Sequence, residues 1–287
     1  MAKTPPRKQL LVFAHWQQMA EPQLMGTLTA ALLRGKEIFS FAYARDWLTS
    51  PYAQLLDPAL QLYPGPQYVA DDKQSNFGLF LDSAPDRWGR VLMRRREAAL
   101  ARQEGRPEST LFESDYLLGV YDGHRMGGLQ FKLEVDGPFL NDNRAMAAPP
   151  WTSLRELEYA SLQLERTEAS EDPNYLKWLA LLVAPGSSLG GARPKASVVD
   201  QQQLWIAKFP SGQDTHDVGA WEAVVNTLAA QAGIQVAQGR AQRFGSPHHT
   251  YLSRRFDRSQ DEQRIHFASA MTLLGYQDGI NHQDGVM

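Results

Sequence analysis

A glycine-rich stretch in the second half of the chain contains the residues whose types and spacing most directly suggest chemistry. The stretch is Gly186-Ser187-Ser188-Leu189-Gly190-Gly191-Ala192-Arg193-Pro194-Lys195. Glycine lets the backbone approach a ligand closely, and successive N–H groups then face one concavity that holds phosphate oxygens. A Walker lysine follows a glycine and opens a helix, whereas Lys195 follows a proline and precedes a β-rich run. The stretch therefore predicts either a phosphate-binding loop that leads into a strand or a flexible surface loop.

Two charged residues follow this stretch in the order that protein kinases use. Lys208 interrupts the apolar run 204–209, and Glu222 lies near the start of a predicted helix. In kinases a glycine-rich loop, a strand lysine and a helix glutamate occur in this order, and the lysine contacts the phosphates of ATP. Alone, Lys208 also fits an edge strand that faces water, and Glu222 fits a favourable charge at a helix N-terminus. The order of the three features indicates a nucleotide site.

The elements that must position these residues follow a predicted linker. Before it, β-rich runs at 9–15 and 37–43, separated by a glycine-bearing stretch, predict a small sheet, and 85–105 predicts a helix. The polar, proline-bearing stretch 136–150 is the best linker. We therefore predict an α+β protein with two domains, 1–140 and 141–287. The first would be a small α/β subdomain, and the second would be a sheet with helices.

The second domain mixes predicted helices and strands. Helices are predicted at 152–166, 175–183 and 220–232, and β-like runs at 196–199, 204–209, 250–256 and 264–267. In the helix at 220–232 the apolar positions follow helical spacing: Trp221, Val224, Val225, Leu228, Ala229 and Ala232. We expect this helix to pack on a sheet.

The predicted helix at 85–105 is rich in arginine. Its arginines are Arg87, Arg90, Arg94, Arg95, Arg96 and Arg102. They predict either a solvated helix face or a surface that binds an anion or a partner.

The composition excludes several classes of protein. The 287 residues carry a net charge of −3, which does not favour nucleic acid or an anionic membrane as a partner of the whole chain. The absence of cysteine excludes disulfides and thiolate metal sites and fits a cytoplasmic location. No apolar run reaches the ~18 residues that a membrane-spanning helix needs. The histidines lack ligand spacing, so we expect no metal other than one that arrives with a nucleotide.

Several motifs resemble the HipA family of serine/threonine kinase toxins. They are Ser188-Leu189-Gly190-Gly191-Ala192-Arg193-Pro194-Lys195, Ile206-Ala207-Lys208-Phe209-Pro210, Ser253-Arg254-Arg255-Phe256-Asp257-Arg258, Arg264-Ile265-His266, Asp82-Ser83-Ala84-Pro85-Asp86-Arg87-Trp88-Gly89 and Leu117-Leu118-Gly119. Together they extend through nearly the whole chain.

The resemblance implies a protein-kinase-like N-lobe that binds ATP with Mg²⁺. The residues implied at the nucleotide are Ser188, Gly190, Gly191, Ala192, Lys195, Lys208 and Glu222, with Arg254 and Phe256 in the hinge beside adenine. In the family, a serine of the loop is autophosphorylated, which expels the loop and switches the kinase off. Ser188 matches that serine, and Ser187 adjoins it. The implied partners are a HipB-like, DNA-binding antitoxin, DNA only through that antitoxin, and a protein substrate such as an aminoacyl-tRNA synthetase.

Toward its C-terminal end, this sequence departs from the family pattern. A helical lobe with a catalytic Asp, an Asn and a metal-binding Asp belongs to the family, and none of these three residues can be placed here. We therefore expect an ATP-binding portion that is truncated or degenerate and inactive alone, with no catalytic residue assigned. Two alternatives stay open: a non-catalytic module that binds the antitoxin and contributes to operator-DNA autoregulation, and an unrelated two-domain α+β protein whose glycine loop is structural.

Overall fold

The computed structural model describes residues 7–70, 74–183 and 191–276. Two antiparallel sheets, of five and four strands, are combined with helices in these ranges. The α+β class predicted from the sequence is therefore confirmed.

The first sheet has the strand order β4-β3-β2-β1-β5. Its strands are β1 (Arg7–Ala14), β2 (Gln23–Leu33), β3 (Lys36–Tyr43), β4 (Pro66–Tyr68) and β5 (Leu129–Lys132). Buried and less buried residues alternate along β1 and β3, as expected for strands with one face on a core. No strand is predicted between these two, whereas β2 lies there and is the longest strand of this sheet. Gly26 and two alanines lower its β-propensity, but pairing with both neighbours decides its conformation.

Four helices follow the first strands: α1 (Arg45–Leu48), α2 (Gly78–Leu81), α3 (Arg87–Glu104) and α4 (Glu113–Gly119). The predicted helix at 85–105 is confirmed as α3. Asp86 caps its first turn by accepting a hydrogen bond from the Gly89 N–H, and the helix ends at Gly105 in the left-handed conformation.

The second sheet has the strand order β6-β7-β9-β8. Its strands are β6 (Lys195–Asp200), β7 (Gln203–Lys208), β8 (Gly239–Gln242) and β9 (Thr250–Arg254). On one face, Ala196, Val198 and Leu252 pack in a core with α5 (Leu154–Leu164) and α6 (Tyr175–Val183). Trp88 and Leu92 of α3 join that core as well. The domain boundary near residue 140 stays a prediction, and one helix that precedes it packs with the later sheet.

The last two helices of the described residues are α7 (Val218–Gln231) and α8 (Ala270–Leu274). The helix predicted at 220–232 is present as α7, and it packs against β8 and β9. The expectation that this helix packs on a sheet is confirmed. Its apolar residues do not supply the contact, because Trp221 is 61% exposed and Val225 and Leu228 are similarly exposed. The helix turns Gly219 toward the sheet instead. A Cβ at Gly219 would lie 2.0 Å from the carbonyl oxygen of His249, so only glycine permits this approach.

The run 264–267, predicted as β-like, does not form a strand. Only a single bridge, from Arg264 to Arg258, is present there. The physical reason is that the Arg264 guanidinium is directed to Asp122 in a buried cluster, so this segment serves a side-chain network and no sheet ladder. Among the helices within the described ranges, none is long and apolar enough to cross a membrane.

Candidate functional site

Lys208 and Glu222 lie in direct contact. Lys208 ends β7, Glu222 lies near the start of α7, and the lysine ammonium donates to the Oε1 atom of Glu222. The two side chains are 30% and 31% exposed, so the pair is half-buried and remains open to a ligand. Tyr251, opposite Lys208 on β9, places its ring 5.6 Å from the ammonium. Burial, and to a lesser degree the Glu222 charge, raises the pKa of Tyr251 and keeps its phenol protonated.

The described part of the glycine-rich stretch begins at Gly191. Ser187, Ser188 and Gly190 lie outside the described residues, so their predicted roles stay predictions. Gly191 has a φ of 88°, in the left-handed region that favours glycine, and Ala192 is exposed.

Lys195 is buried in an ion pair with a residue from the first part of the chain. Its ammonium lies 2.6 Å from an Asp86 carboxylate oxygen, and both side chains are 3% exposed. The same ammonium donates to the Gly191 carbonyl oxygen at 3.3 Å, and Trp88 donates to the Lys195 carbonyl at 3.2 Å. The structure thus makes Lys195 an internal anchor of the loop. Its predicted contact with a nucleotide stays a prediction.

The register of the second sheet brings the end of the glycine-rich stretch beside Lys208. Lys195 lies opposite Lys208 in the β6–β7 pair, and the Phe209 N–H donates to the Pro194 carbonyl at 2.9 Å. The loop and the strand lysine, which are 13 positions apart in the sequence, are therefore neighbours across two hydrogen-bonded strands.

The segment predicted as a hinge follows β9 and is divided between surface and core. Phe256 is half exposed, and its ring meets that of Phe267 at 5.1 Å. Arg254 reaches the Ser259 carbonyl at 3.5 Å. Arg255 is buried, and its guanidinium binds both oxygens of Asp257 at 2.8 and 2.6 Å. The role of this segment beside adenine stays a prediction.

A buried arginine–aspartate cluster joins this segment to the first part of the chain. Arg255 and Arg258 both bind Asp257, and Arg264 binds Asp122. Arg255 also donates to the His124 carbonyl at 2.7 Å, and Asp257 accepts from the Gly127 N–H at 2.9 Å. The motif 253–258 contains Arg255, Asp257 and Arg258, but the sequence alone does not predict that they form this cluster. The available signal is the close spacing of oppositely charged residues at 254–258.

Electrostatics in this cluster favour the charged aspartate and a neutral histidine. Burial raises the pKa of Asp257, but the charges and hydrogen bonds of Arg255 and Arg258 outweigh burial, so its pKa lies below the usual value. Burial, and then the nearby arginines, lowers the pKa of His124 to about 3. His124 is consequently neutral, and its Nδ1 atom accepts a hydrogen bond from the Ala148 N–H at 2.7 Å.

The chain carries the site within a region that matches a known family. Residues 187–285 match the family model of the HipA-like C-terminal domain. The match covers about a third of the chain and supports a relationship of this part to the HipA family. No curated protein matches the chain. The HipA-like region contains Lys208, Glu222 and the segment 254–258, whereas Asp86, the partner of Lys195, comes from outside it.

Within 7–70, 74–183 and 191–276, no group of three or more histidine, aspartate or glutamate residues is arranged to hold a metal ion. The candidate site of the HipA-like region is the glycine-bearing surface around Lys208, which Glu222 contacts and which the buried Lys195 adjoins across the β6–β7 pair.

Proposed function

We propose that the HipA-like region binds ATP in the manner of a protein-kinase N-lobe, and that the chain is the ATP-binding portion of a serine/threonine kinase toxin of a toxin–antitoxin module. The observation that carries the proposal is the Lys208–Glu222 contact. In protein kinases the strand lysine and the helix glutamate form this ion pair, and the glutamate orients the lysine toward the phosphates of ATP. The HipA-like match supports the same interpretation.

The residues around Lys208 fit the phosphates of a nucleotide. The Lys208 side chain is partly exposed. The left-handed Gly191 and the exposed Ala192 lie in the loop just before β6, the strand that pairs with the strand of Lys208. Backbone N–H groups in such a turn favour an anion. Gly190 and Ser188 would complete the loop, and Arg254 and Phe256 would border the adenine. Lys195 would act behind the loop, through its contacts with Asp86 and Gly191.

Mg²⁺, when it is bound with ATP, neutralises charge on the phosphates. In this proposal the ion would arrive with the nucleotide. This part of the chain would bind and orient ATP through Lys208.

Regulation by the loop serine is part of the proposal. Phosphorylation of Ser188, or of its neighbour Ser187, would add close to two negative charges beside the phosphate-binding loop and repel ATP. The protein substrate suggested by the family resemblance is an aminoacyl-tRNA synthetase.

A second candidate function is a non-catalytic module that binds an antitoxin, with DNA contacted only through that partner. The observation that favours it is the charge of α3, where Arg94 and Arg102 are exposed. Arg90 is engaged with Glu113 at 2.6 Å, and Arg95 with the Leu164 carbonyl at 2.7 Å. The exposed arginines would suit an acidic partner surface.

Calorimetric titration of the chain with MgATP tests the main proposal. Lys208→Ala and Ser188→Asp should each weaken binding, since the first removes the phosphate contact and the second adds charge to the loop. Lys177→Ala removes a lysine from an exposed pair with Glu156 and is the matched control. A folded parent chain that does not bind MgATP would contradict the proposal and leave the antitoxin-binding function as the better explanation.

A further inference from the structure

Arg193 of the glycine-rich stretch forms a two-pronged ion pair with Asp214. The Nη1 atom lies 2.9 Å from Oδ1, and Nη2 lies 2.6 Å from Oδ2. The side chains are 24% and 10% exposed, so the pair is largely shielded from water. A bidentate arginine–carboxylate pair fixes orientation as well as adding energy. The pair therefore ties the loop to the turn between β7 and α7.

Asp214 is itself held in place by its own turn. The Ser211 N–H donates to its Oδ2 atom at 2.9 Å. Burial raises the pKa of Asp214, but the hydrogen bonds from Arg193 and Ser211 outweigh burial and hold its pKa below the usual value. Asp214 is therefore a charged and oriented partner for Arg193.

The turn that carries Asp214 is anchored to the end of α5. Glu165 accepts hydrogen bonds from the Ser211 hydroxyl at 2.8 Å and from the Gly212 N–H at 2.6 Å. Among the described residues, this turn connects Glu165 to Arg193. A displacement of the loop at Arg193 would thus have to break the ion pair or move an anchored turn.

The Arg193–Asp214 pair and the Phe209–Pro194 hydrogen bond connect the same two segments on either side of Lys208. The Phe209 N–H donates to the Pro194 carbonyl, and Lys208 precedes Phe209 directly. Asp214 lies six residues after Lys208 and three before Asp217, the cap of α7. The ion pair therefore constrains the loop relative to both the strand lysine and the helix that carries Glu222.

We propose that the Arg193–Asp214 pair is a clamp that positions the described end of the glycine-rich loop, residues 191–195, for contact with the phosphates of ATP. This inference rests on the proposed function and deepens it. Both are positioning residues: the Arg193 charge is already matched by Asp214, so Arg193 acts through the loop backbone and does not serve as a phosphate ligand. If Arg193 were a direct phosphate ligand, loss of the Asp214 charge would release its guanidinium and MgATP would bind more tightly.

The test compares MgATP with adenosine by calorimetry in the full chain. Arg193→Ala and Asp214→Asn should each weaken MgATP binding about tenfold, the effect of ~1.4 kcal/mol. Adenosine affinity should stay unchanged, because adenosine has no phosphates for the loop to hold. The exchanged pair Arg193→Asp with Asp214→Arg should recover part of the MgATP affinity, and Lys177→Ala is again the control.

Several outcomes would overturn the clamp. Tighter MgATP binding by Asp214→Asn would show that Arg193 is a phosphate ligand that the aspartate restrains. Equal losses for MgATP and adenosine would show a general structural role, and unchanged affinities would show no role. Hydrogen exchange of the 191–195 amides in nucleotide-free protein separates this proposal from the broader one. Faster exchange of these amides in Arg193→Ala than in the parent chain would support the clamp, and unchanged exchange would contradict it. Failure of the parent chain to bind MgATP would contradict both the proposed function and the role of the clamp in nucleotide binding.

Discussion

The ammonium of Lys195 lies 2.6 Å from the carboxylate of Asp86, although 109 positions separate the two residues. Asp86 also caps α3 by accepting from the Gly89 N–H at 2.8 Å. One carboxylate therefore serves a helix of the first part of the chain and the base of the glycine-rich loop at the same time. Because both side chains are almost fully buried, neither charge can be removed alone without leaving the other in a medium that solvates it poorly.

Removal of Lys195 should destabilise the fold strongly. Lys195→Met leaves the Asp86 charge buried, and we expect a loss of roughly 3–5 kcal/mol in the free energy of unfolding. Urea denaturation followed by circular dichroism measures this loss. The double variant Lys195→Met with Asp86→Asn should recover part of it, since asparagine still caps a helix. A single-variant loss within the experimental error would contradict the buried-pair interpretation.

Replacement of Glu222 should affect nucleotide binding more than stability. Glu222→Gln removes the charge that orients Lys208, and we expect MgATP to bind about tenfold more weakly, the effect of ~1.4 kcal/mol. The pair is half exposed, so the free energy of unfolding should change by less than about 1 kcal/mol. Calorimetry and urea denaturation give the two values, with Glu156→Gln as the matched surface control. MgATP affinity equal to that of the control would argue against the kinase-like role of the pair.

Asp257 should make the protein sensitive to acid. Its pKa is lowered in the folded state, so its stabilising effect is complete above the unfolded pKa of about 3.9 and is lost as the pH falls through the folded pKa. Asp257→Asn should destabilise the protein by roughly 3 kcal/mol at neutral pH, because Arg255 and Arg258 then lack their counter-charge. Urea denaturation at pH 7, 4 and 3 checks this. An Asp257→Asn variant that loses as much stability on acidification as the parent would refute the assignment.

His124 should contribute a second pH dependence, at less acidic values. The folded protein keeps the ring neutral down to a pKa of about 3, whereas the unfolded chain binds a proton below about 6.5. The free energy of unfolding should therefore fall as the pH decreases from 6.5 toward 3. His124→Asn retains an acceptor for the Ala148 N–H and should reduce that slope. A slope equal to that of the parent chain in urea titrations would exclude His124 as the source.

Local features of the fold could be predicted because short-range signals specify them. The helix predicted at 85–105 is α3, whose ends are set by the Asp86 cap and by Gly105, both adjacent to it. β1 and β3 were predictable from the β-rich composition of the runs 9–15 and 37–43. β2 and β8 were missed, since their glycine and alanine residues carry little β-propensity, and pairing with neighbouring strands decides their conformation.

The orientation of α7 shows where periodicity stops being informative. Its helical spacing predicts a helix and an apolar face, but spacing does not state which surface that face meets. In the described residues, α7 approaches the sheet through Gly219 and leaves Trp221 exposed.

For the candidate site too, some features follow from the sequence and others only from the tertiary structure. By itself, the sequence determined the glycine-rich stretch, the strand lysine at 208, the helix glutamate at 222 and their order, because each depends on residues close in the chain. Only the tertiary structure decided that Glu222 contacts Lys208, that Lys195 is buried with Asp86, and that Asp214 holds Arg193. A buried charge must find a counter-charge, and which residue supplies it is decided by how distant segments pack rather than by the neighbours in sequence.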